Sequence, residues 1–241
     1  MAKKIYLSPS SQPANVYAVG NTNEQEQCRK IAAKCAEALK RCGFEAKAGL
    51  SGTYQSRTKE SNAWGADAHI PIHTNGCNGK VAGFRGFYSK AGGAGYKLLA
   101  AIAGEVEPIT PGKSDGLSVQ TGLYEINNSK APCAYLELGF HDNPTEARYI
   151  IEHTDDLAEA ICKGVCKHYG VKYVAPGGKP AAPSAKPADP EKKPETAENL
   201  YRVSNAAGKQ VGAYSVEANA FAEVKRQLKS GGAAKITYGA K

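Results

Sequence analysis

The stretch that decides the fold is Ala-His-Ile-Pro-Ile-His-Thr-Asn, residues 68–75. Its first six residues form a short, mostly apolar run that ends in a histidine, a pattern that indicates a buried strand. The polar residues Thr74, Asn75 and Gly76 follow directly. Ligands of α/β proteins bind beyond the carboxyl ends of strands. The end of this strand, at His73, is therefore the first place to look for a functional site.

Short apolar runs alternate with helical patterns on both sides of this strand. The helix over residues 23–42 is the clearest, because its apolar residues recur at helical spacing and Gly43 ends it. Strands separated by helices predict an α/β fold, a three-layer sandwich with a largely parallel sheet. The full pattern predicts further strands over residues 4–8, 44–48, 84–89, 123–126 and 133–138, and helices over residues 56–65, 95–106, 145–151 and 155–169.

Composition divides the 241 residues into three parts. Residues 1–173 carry the α/β pattern. Residues 174–197 hold six of the thirteen prolines, with Ala and Lys between them and no aromatic residue, which is typical of an extended linker. Residues 198–241 predict a small α+β domain with the order strand, hairpin, helix and strand. This domain has seven Lys and Arg against three Glu, so it carries much of the net charge of +8.

Two classes of protein are excluded by what the sequence lacks. No apolar run reaches the roughly 18 residues of a membrane span, so we expect a protein that is not membrane-embedded. No motif for nucleic-acid binding is present, so nucleic acid is not an expected partner. Pro9 and neighbouring polar residues also interrupt any signal-peptide pattern near the start, which predicts a protein made in the cytoplasm.

The seven cysteines are predicted to be small buried hydrophobic residues. Cys28, Cys35 and Cys42 recur every seven residues and fall along one stripe of a helix. Cys162 and Cys166 are four residues apart, again on one helical face. No pair has C-x-x-C spacing, which argues against a structural cysteine-zinc site.

Three residues at element ends could bind a catalytic metal. His73 and His141 follow predicted strands, and Glu24 opens the first long helix. Mixed nitrogen and oxygen ligands are typical of a catalytic zinc, which keeps one position open for water. Glu137, at the end of an apolar strand, is placed to act as a general base. The simpler alternatives are that Glu24 only favours the helix dipole and that Glu137 pairs with a neighbouring group.

Two segments carry a resemblance to a known family. Ile-Pro-Ile-His-Thr-Asn at residues 70–75 and Tyr-Leu-Glu-Leu-Gly-Phe-His-Asp-Asn-Pro at residues 135–144 resemble motifs of the zinc-dependent N-acetylmuramoyl-L-alanine amidases of the amidase-3 class. The resemblance runs from residue 4 to about residue 169. It implies that His73 and Glu24 bind Zn²⁺ and that Glu137 is catalytic. Arg57, Asn62 and Asp67 match a further family pattern and are expected to support the zinc-binding strand.

One position departs from the family pattern. The first zinc-binding His of the family normally lies in a D-P-G-H-G segment, and this chain has Ser11 there, in Ser-Pro-Ser-Ser-Gln at residues 8–12. His69 cannot replace it, because four strand residues place it roughly 13 Å from His73. We expect His141 as the third ligand. Ser11 or Gln12 with water, and a metal-free protein, stay open as alternatives. The simpler alternative for His141 is that it only orients Glu137 or substrate.

The C-terminal domain resembles one half of a SPOR-type peptidoglycan-binding repeat, on Tyr201, Arg202, Val203 and residues 210–215. The whole layout is similar to that of a phage or prophage endolysin. It implies hydrolysis of the amide between N-acetylmuramic acid and L-alanine in peptidoglycan, with cell-wall lysis after release from the cytoplasm. Anionic wall polymers are a second expected partner. The alternative functions are a non-catalytic peptidoglycan-binding protein and a zinc peptidase that cuts within the stem peptide.

Overall fold

The computed structural model describes residues 2–114, 116–178, 200–205, 210–214, 224 and 234–239. Its main body alternates strands and helices along the chain. The strands are β1 (Lys4–Pro9), β2 (Glu45–Ala48), β3 (Ala68–Asn75), β4 (Arg85–Tyr88), β5 (Gly116–Val119) and β6 (Tyr135–Phe140). The helices are α1 (Glu24–Arg41), α2 (Tyr54–Trp64), α3 (Ala94–Val106), α4 (Tyr124–Asn128), α5 (Pro144–Glu152) and α6 (Thr154–Tyr169).

These six strands form one sheet in the order β2-β1-β3-β6-β4-β5. The first four in that order are parallel, and β4 runs antiparallel to β6 and parallel to β5. Helices flank the sheet. This confirms the predicted α/β fold with a largely parallel sheet.

The two faces of the central strands differ in polarity. Ile5, Leu7, Ile70 and Ile72 are fully buried and belong to one apolar core, which also contains the buried residues of α1 and α6. Successive side chains of a strand point to opposite faces. Apart from Pro71, the alternate positions of β1 and β3 hold polar or aromatic residues on the other face, where His69 stacks on Tyr6 with ring centroids 5.6 Å apart.

One predicted element is wrong. Residues 123–126, predicted as a strand, lie in and just before the short helix α4, and the edge strand of the sheet is β5 instead. A short apolar run does not distinguish a strand from one helical turn by periodicity alone. The helical turn buries Glu125 and Ile126, and this places a carboxylate inside the protein.

The described residues of the C-terminal part form the strands β7 (Leu200–Asn205), β8 (Gln210–Tyr214) and β9 (Ala234–Gly239). They form an antiparallel sheet in the order β8-β7-β9, at the positions where the sequence predicts strands. Apart from Val224, which is helical, the predicted helix of this domain lies outside the described residues, as does most of the predicted linker. The chain divides into two compact units, Met1–Lys186 and Pro187–Lys241. The boundaries 1–173, 174–197 and 198–241 stay predictions.

In the described part of the chain, none of the helices combines the length and the apolar character that crossing a membrane requires.

Candidate active site

The end of β3 brings His73 against the start of α1. Asn23 caps α1, because its side chain accepts a hydrogen bond from the backbone N–H of Glu26, 3.0 Å away. Glu24 is therefore held in the first turn, where its Oε1 lies 2.9 Å from Nδ1 of His73. The backbone N–H of Thr74 donates to the same oxygen at 3.2 Å. Both side chains are buried, so the structure places these two predicted ligands in direct contact.

Glu137 lies beside His73 on the neighbouring strand. The two residues are register partners in the parallel pair of β3 and β6. The Oε2 atom of Glu137 is buried and has no hydrogen-bond partner among the residues that the structure describes. Burial raises the pKa of Glu137 to about 7, although the positive charge of His73 acts in the opposite direction. A carboxylate with a pKa near neutrality is suited to exchange protons with substrate.

Glu125 is a buried carboxylate of the site that sequence reasoning missed. Its Oε2 lies 3.8 Å from Nε2 of His73, and its Oε1 lies 3.2 Å from Nε2 of His69. Ser8 also donates its hydroxyl to Oε1 of Glu125. Burial opposes ionisation, but the interactions with His69 and His73 lower the pKa of Glu125 to about 2. No signal in the sequence links Glu125 to histidines more than fifty residues away.

His73 consequently lies between two carboxylates. Burial by itself lowers the pKa of an imidazole, because it disfavours the charged form. The interactions with Glu125 and Glu24 outweigh this effect and raise the pKa of His73 to about 9. Its ring also stacks on Tyr135, with centroids 4.7 Å apart. The orientation of the imidazole is therefore set on three sides.

Arg57, Asn62 and Asp67 support the site without entering it. Arg57 is buried, and its Nε donates to the hydroxyl of Ser8 at 3.0 Å. The side chain of Asn62 bonds the carbonyl of Asn128 and the N–H of Lys130, each at 2.8 Å, and so holds the end of α4. Asp67 accepts from the backbone N–H of Lys4 at 2.8 Å, which fixes the start of β1. All three therefore position the strands and the helix that carry the site.

His141 lies apart from the pair of Glu24 and His73. Its Nδ1 is 3.1 Å from the carbonyl oxygen and 3.2 Å from the hydroxyl of Thr74, and its ring stacks on Tyr17. Among the described residues, the only three His, Cys, Asp or Glu ligand atoms within 4.8 Å of one another belong to cysteines. The structure therefore does not bring His141 into a common ligand set with Glu24 and His73.

Gln12 lies closer to the pair. Its side-chain Nε2 is 3.5 Å from Nδ1 of His73, the same ring nitrogen that faces Glu24. The hydroxyl of Ser10 accepts a hydrogen bond from the backbone N–H of Gln12 at 3.2 Å and orders this loop. The two ends of an amide side chain are assigned from their hydrogen bonds, so either end can face the imidazole. Ser11, where the sequence resemblance predicts a histidine, lines the adjacent cleft.

A cleft of about 370 Å³ opens beside His73. Tyr54, Tyr124 and Tyr135 form much of its wall, and the rings of Tyr54 and Tyr124 meet edge to face at 5.5 Å. Glu125 forms part of the same wall. Concave sites with aromatic walls and a few polar groups are typical of ligand-binding sites.

The model of the Amidase_3 family, described as N-acetylmuramoyl-L-alanine amidase, matches residues 10–167. This match covers more than half of the chain. The chain belongs to the Amidase_3 family. The matched range contains Glu24, His73, Glu125 and Glu137.

Relatives of this Amidase_3 chain include a germination-specific N-acetylmuramoyl-L-alanine amidase of Bacillus subtilis (strain 168). It is 27% identical over 121 residues, which are 49% of this chain and 51% of the relative. The chain thus spans about half the length of this curated relative.

Two solved structures show the same fold. The catalytic domain of CwlV, an N-acetylmuramoyl-L-alanine amidase from Bacillus (Paenibacillus) polymyxa var. colistinus, superposes with a TM-score of 0.64 at 18% identity, over 70% of this chain and 99% of that domain. The catalytic domain of an endolysin targeting Clostridia Difficile gives a TM-score of 0.60 at 20% identity, over 68% of this chain and 97% of that domain.

The donor atoms of this Amidase_3 chain fit the zinc on which the family generally depends. Two ligands with bonds of about 2.0–2.2 Å to one tetrahedral zinc lie roughly 3.3 Å apart. Around Nδ1 of His73, the separations are 2.9 Å to Glu24 and 3.5 Å to the Gln12 amide. A zinc-binding histidine usually directs its other ring nitrogen to a carboxylate, and Nε2 of His73 faces Glu125.

Proposed function

We propose that this chain hydrolyses the amide bond between N-acetylmuramic acid and L-alanine in bacterial peptidoglycan. The observation that carries the proposal is the position of Glu137. Its buried, unpartnered carboxylate oxygen lies in register with His73 at the carboxyl end of the sheet. Membership of the Amidase_3 family supports the same reaction.

Zinc would be held by Glu24, His73 and the amide oxygen of Gln12. In this set Gln12 takes the place of the expected ligand His141. Gln12 approaches Nδ1 of His73, whereas Nδ1 of His141 is within hydrogen-bond distance of the carbonyl of Thr74. When bound, zinc supplies Lewis acidity that polarises a carbonyl and makes a water more acidic. Glu125 would place negative charge beside Nε2 of His73, 3.8 Å away, while Nδ1 faces the metal.

The proton transfers fall to Glu137. In its deprotonated form it takes a proton from the water that attacks the carbonyl carbon of the lactyl group. It then gives that proton to the nitrogen of L-alanine as the carbon–nitrogen bond breaks, so the products are a free carboxylate and a free amine. A pKa of about 7 lets the same carboxyl group act first as base and then as acid.

The cleft beside His73 would bind the substrate. Tyr54, Tyr124 and Tyr135 offer flat apolar faces with polar hydroxyl groups, a combination that suits a sugar with a short peptide. Tyr54 is 40% exposed, so it is available for contact.

The biological role that we propose is cell-wall lysis of the endolysin type, at the wall of a bacterial host. The similarity of the fold to an endolysin catalytic domain supports this role. The basic C-terminal domain would bind peptidoglycan or an anionic wall polymer and would raise the local enzyme concentration at the wall.

Digestion of purified cell walls tests the proposed reaction. New amino termini on L-alanine, together with about one zinc per chain by elemental analysis, are the expected results. Amines released inside the stem peptide would instead identify a peptidase. A chain that holds no zinc and leaves the walls intact, while still sedimenting with them, would be a non-catalytic wall-binding protein.

A further inference from the structure

Three cysteine side chains meet at the end of α1 that is remote from Glu24. The sulfur atoms of Cys42, Cys162 and Cys166 all lie within 4.8 Å of one another, and those of Cys42 and Cys162 are 3.6 Å apart. Each residue is at most 2% exposed. No residue of the proposed active site belongs to this group, which we call the cysteine cluster.

Two helices bring the cluster together. Cys42 is the C-terminal cap of α1, and Cys162 and Cys166 lie one turn apart on the face of α6 that packs in the same core. The absence of C-x-x-C spacing in the sequence excludes only those sites whose ligands come in close pairs along the chain. It does not exclude a site assembled from two packed helices.

The segment that follows α6 closes over the cluster. The backbone N–H of Val174 donates to Sγ of Cys42 at 3.3 Å. The carbonyl of Val174 accepts from Nε of Arg41 at 2.8 Å, and Arg41 forms an ion pair with Glu159 at 2.6 Å. Tyr173 donates its hydroxyl to Glu159 at 2.6 Å. An N–H group directed at a buried sulfur stabilises negative charge there, although burial raises the pKa of the Cys42 thiol.

We propose that the cysteine cluster is a binding site for one soft, thiophilic d¹⁰ cation of the Cu(I) or Zn²⁺ class. An ion with metal–sulfur bonds of about 2.3 Å needs sulfur atoms roughly 3.8–4.0 Å apart. The observed separations of 3.6 Å and of less than 4.8 Å differ from these values by about 1 Å at most, a change that side-chain movements can supply. Thiolate ligands select this class of cation over hard cations.

The number of donors favours Cu(I) within this class. Structural zinc sites hold four protein ligands, and the described part of the chain adds no fourth His, Cys, Asp or Glu to this group. Binding replaces thiol protons by the cation, so protons are released as the site fills. Cys166 is the first thiol expected to ionise. Hydrogen bonding from Cys162 lowers its pKa, and the positive charge of Arg41 acts in the same direction.

A disulfide is the main competing chemistry for these thiols. It would join two sulfurs at about 2.05 Å and leave the third unused. A disulfide uses two of the three sulfur atoms, whereas a metal ion can bind all three. Formation of a disulfide is therefore an outcome that the test must detect.

The test is an anaerobic titration of the full-length, reduced chain with Cu(I) in the presence of a competing chelator, and a parallel titration with Zn²⁺. The exposed thiol is removed in all samples by Cys77→Ser. We expect the cysteine cluster to bind one equivalent of Cu(I) per chain. In the zinc titration, the zinc of the proposed active site is an additional equivalent, which His73→Ala removes. Cys162→Ala and Cys166→Ala should each weaken binding by roughly 100-fold or more, above the range seen for residues that only support a ligand.

Two control variants locate the bound cation. Cys133→Ala removes a buried cysteine that is not part of the cluster, and this variant should still bind one equivalent of Cu(I) per chain. His73→Ala removes a proposed ligand of the active site and should still bind one equivalent of Cu(I) at the cysteine cluster. Unchanged Cu(I) affinity in Cys166→Ala, loss of the bound Cu(I) in His73→Ala, or a mass lower by two hydrogens without bound metal would each overturn the proposal. Circular dichroism of every variant checks that it folds.

Discussion

The two ends of α1 each hold a group of ligand atoms, and the groups differ in donor type and in access to solvent. At the N-terminal end, Glu24 meets His73 beside a cleft of about 370 Å³. At the C-terminal end, the cysteine cluster is covered by the segment around Val174. Nitrogen and oxygen donors next to a cleft can act on a substrate. Sulfur donors sealed inside the core can only change the stability of the fold or store a metal.

The difference shows that burial alone does not identify a catalytic group. Glu137 and Cys162 both have raised pKa values, and burial contributes to both shifts. For Cys162 the hydrogen bond to Cys166 is the larger cause. Glu137 lies on a strand next to the cleft-lining His73, whereas Cys162 faces other thiols. Substitutions at the N-terminal end should therefore change turnover, and substitutions at the C-terminal end should change stability.

The largest effect is expected for Glu137→Gln. Loss of a general base lowers kcat by about 10²- to 10⁴-fold. The free energy of unfolding at neutral pH should fall little, because one carboxylate oxygen of Glu137, Oε2, is buried without a hydrogen-bond partner among the described residues. Release of L-alanine amino termini from purified walls measures the rate. Glu152→Gln, on the exposed side of α5, is the matched control. Turnover within a few-fold of the native rate in Glu137→Gln would remove this residue from the mechanism.

Glu125 lies near the same end of α1, and Glu125→Gln should reduce the free energy of unfolding of the protein. Removing one member of a buried ion pair costs about 3 kcal/mol or more. The lowered pKa of Glu125, about 2 against an ordinary 4.5, stabilises the folded metal-free protein above pH 4.5. That contribution is lost as the pH falls towards about 2. Urea unfolding at several pH values should therefore show a difference in the free energy of unfolding between the variant and the native chain. This difference should be largest at neutral pH and should decrease as the pH falls. A pH-independent difference would contradict the ionised state of Glu125.

The choice of the third zinc ligand can be tested with one variant that should weaken zinc binding and one that should strengthen it. Gln12→Ala removes a proposed ligand and should weaken zinc binding by roughly 100-fold or more, above the range for residues that only support a ligand. Ser11→His, which adds an imidazole where the family pattern predicts one, should strengthen zinc binding. Competition with a zinc-binding dye measures both affinities. His141→Ala serves as the comparison. If this variant loses zinc and Gln12→Ala keeps it, the third ligand is His141, as the sequence predicted.

The smallest effect is expected at the cluster end of α1. Glu159→Gln breaks the ion pair between Glu159 and Arg41. Each of these two side chains is 18% exposed. The loss should be about 1 kcal/mol of unfolding free energy, because partly exposed ion pairs contribute little. The rate of wall hydrolysis should stay at the native value. A clear loss of turnover would show that the two ends of α1 are coupled.

Part of the site could be predicted because parallel strands end at one edge of a sheet. Glu24, His73 and Glu137 were predicted as candidates from element ends, and the structure brings His73 into contact with Glu24 and into register with Glu137. Glu125 could not be predicted, because its role depends on one helical turn that the periodicity of four residues does not reveal. The roles of these residues stay predictions until the variants are measured.

The sequence by itself determined the alternation of strands and helices, the start of α1 at a carboxylate and the position of His73 at a strand end. These features depend on local periodicity and on capping, which neighbouring residues set. Only the tertiary structure decided that Gln12 approaches His73, that Glu125 joins His69 to His73, and that Cys42 meets two cysteines of α6. Such contacts join residues far apart in the chain, and helix packing and strand order fix them.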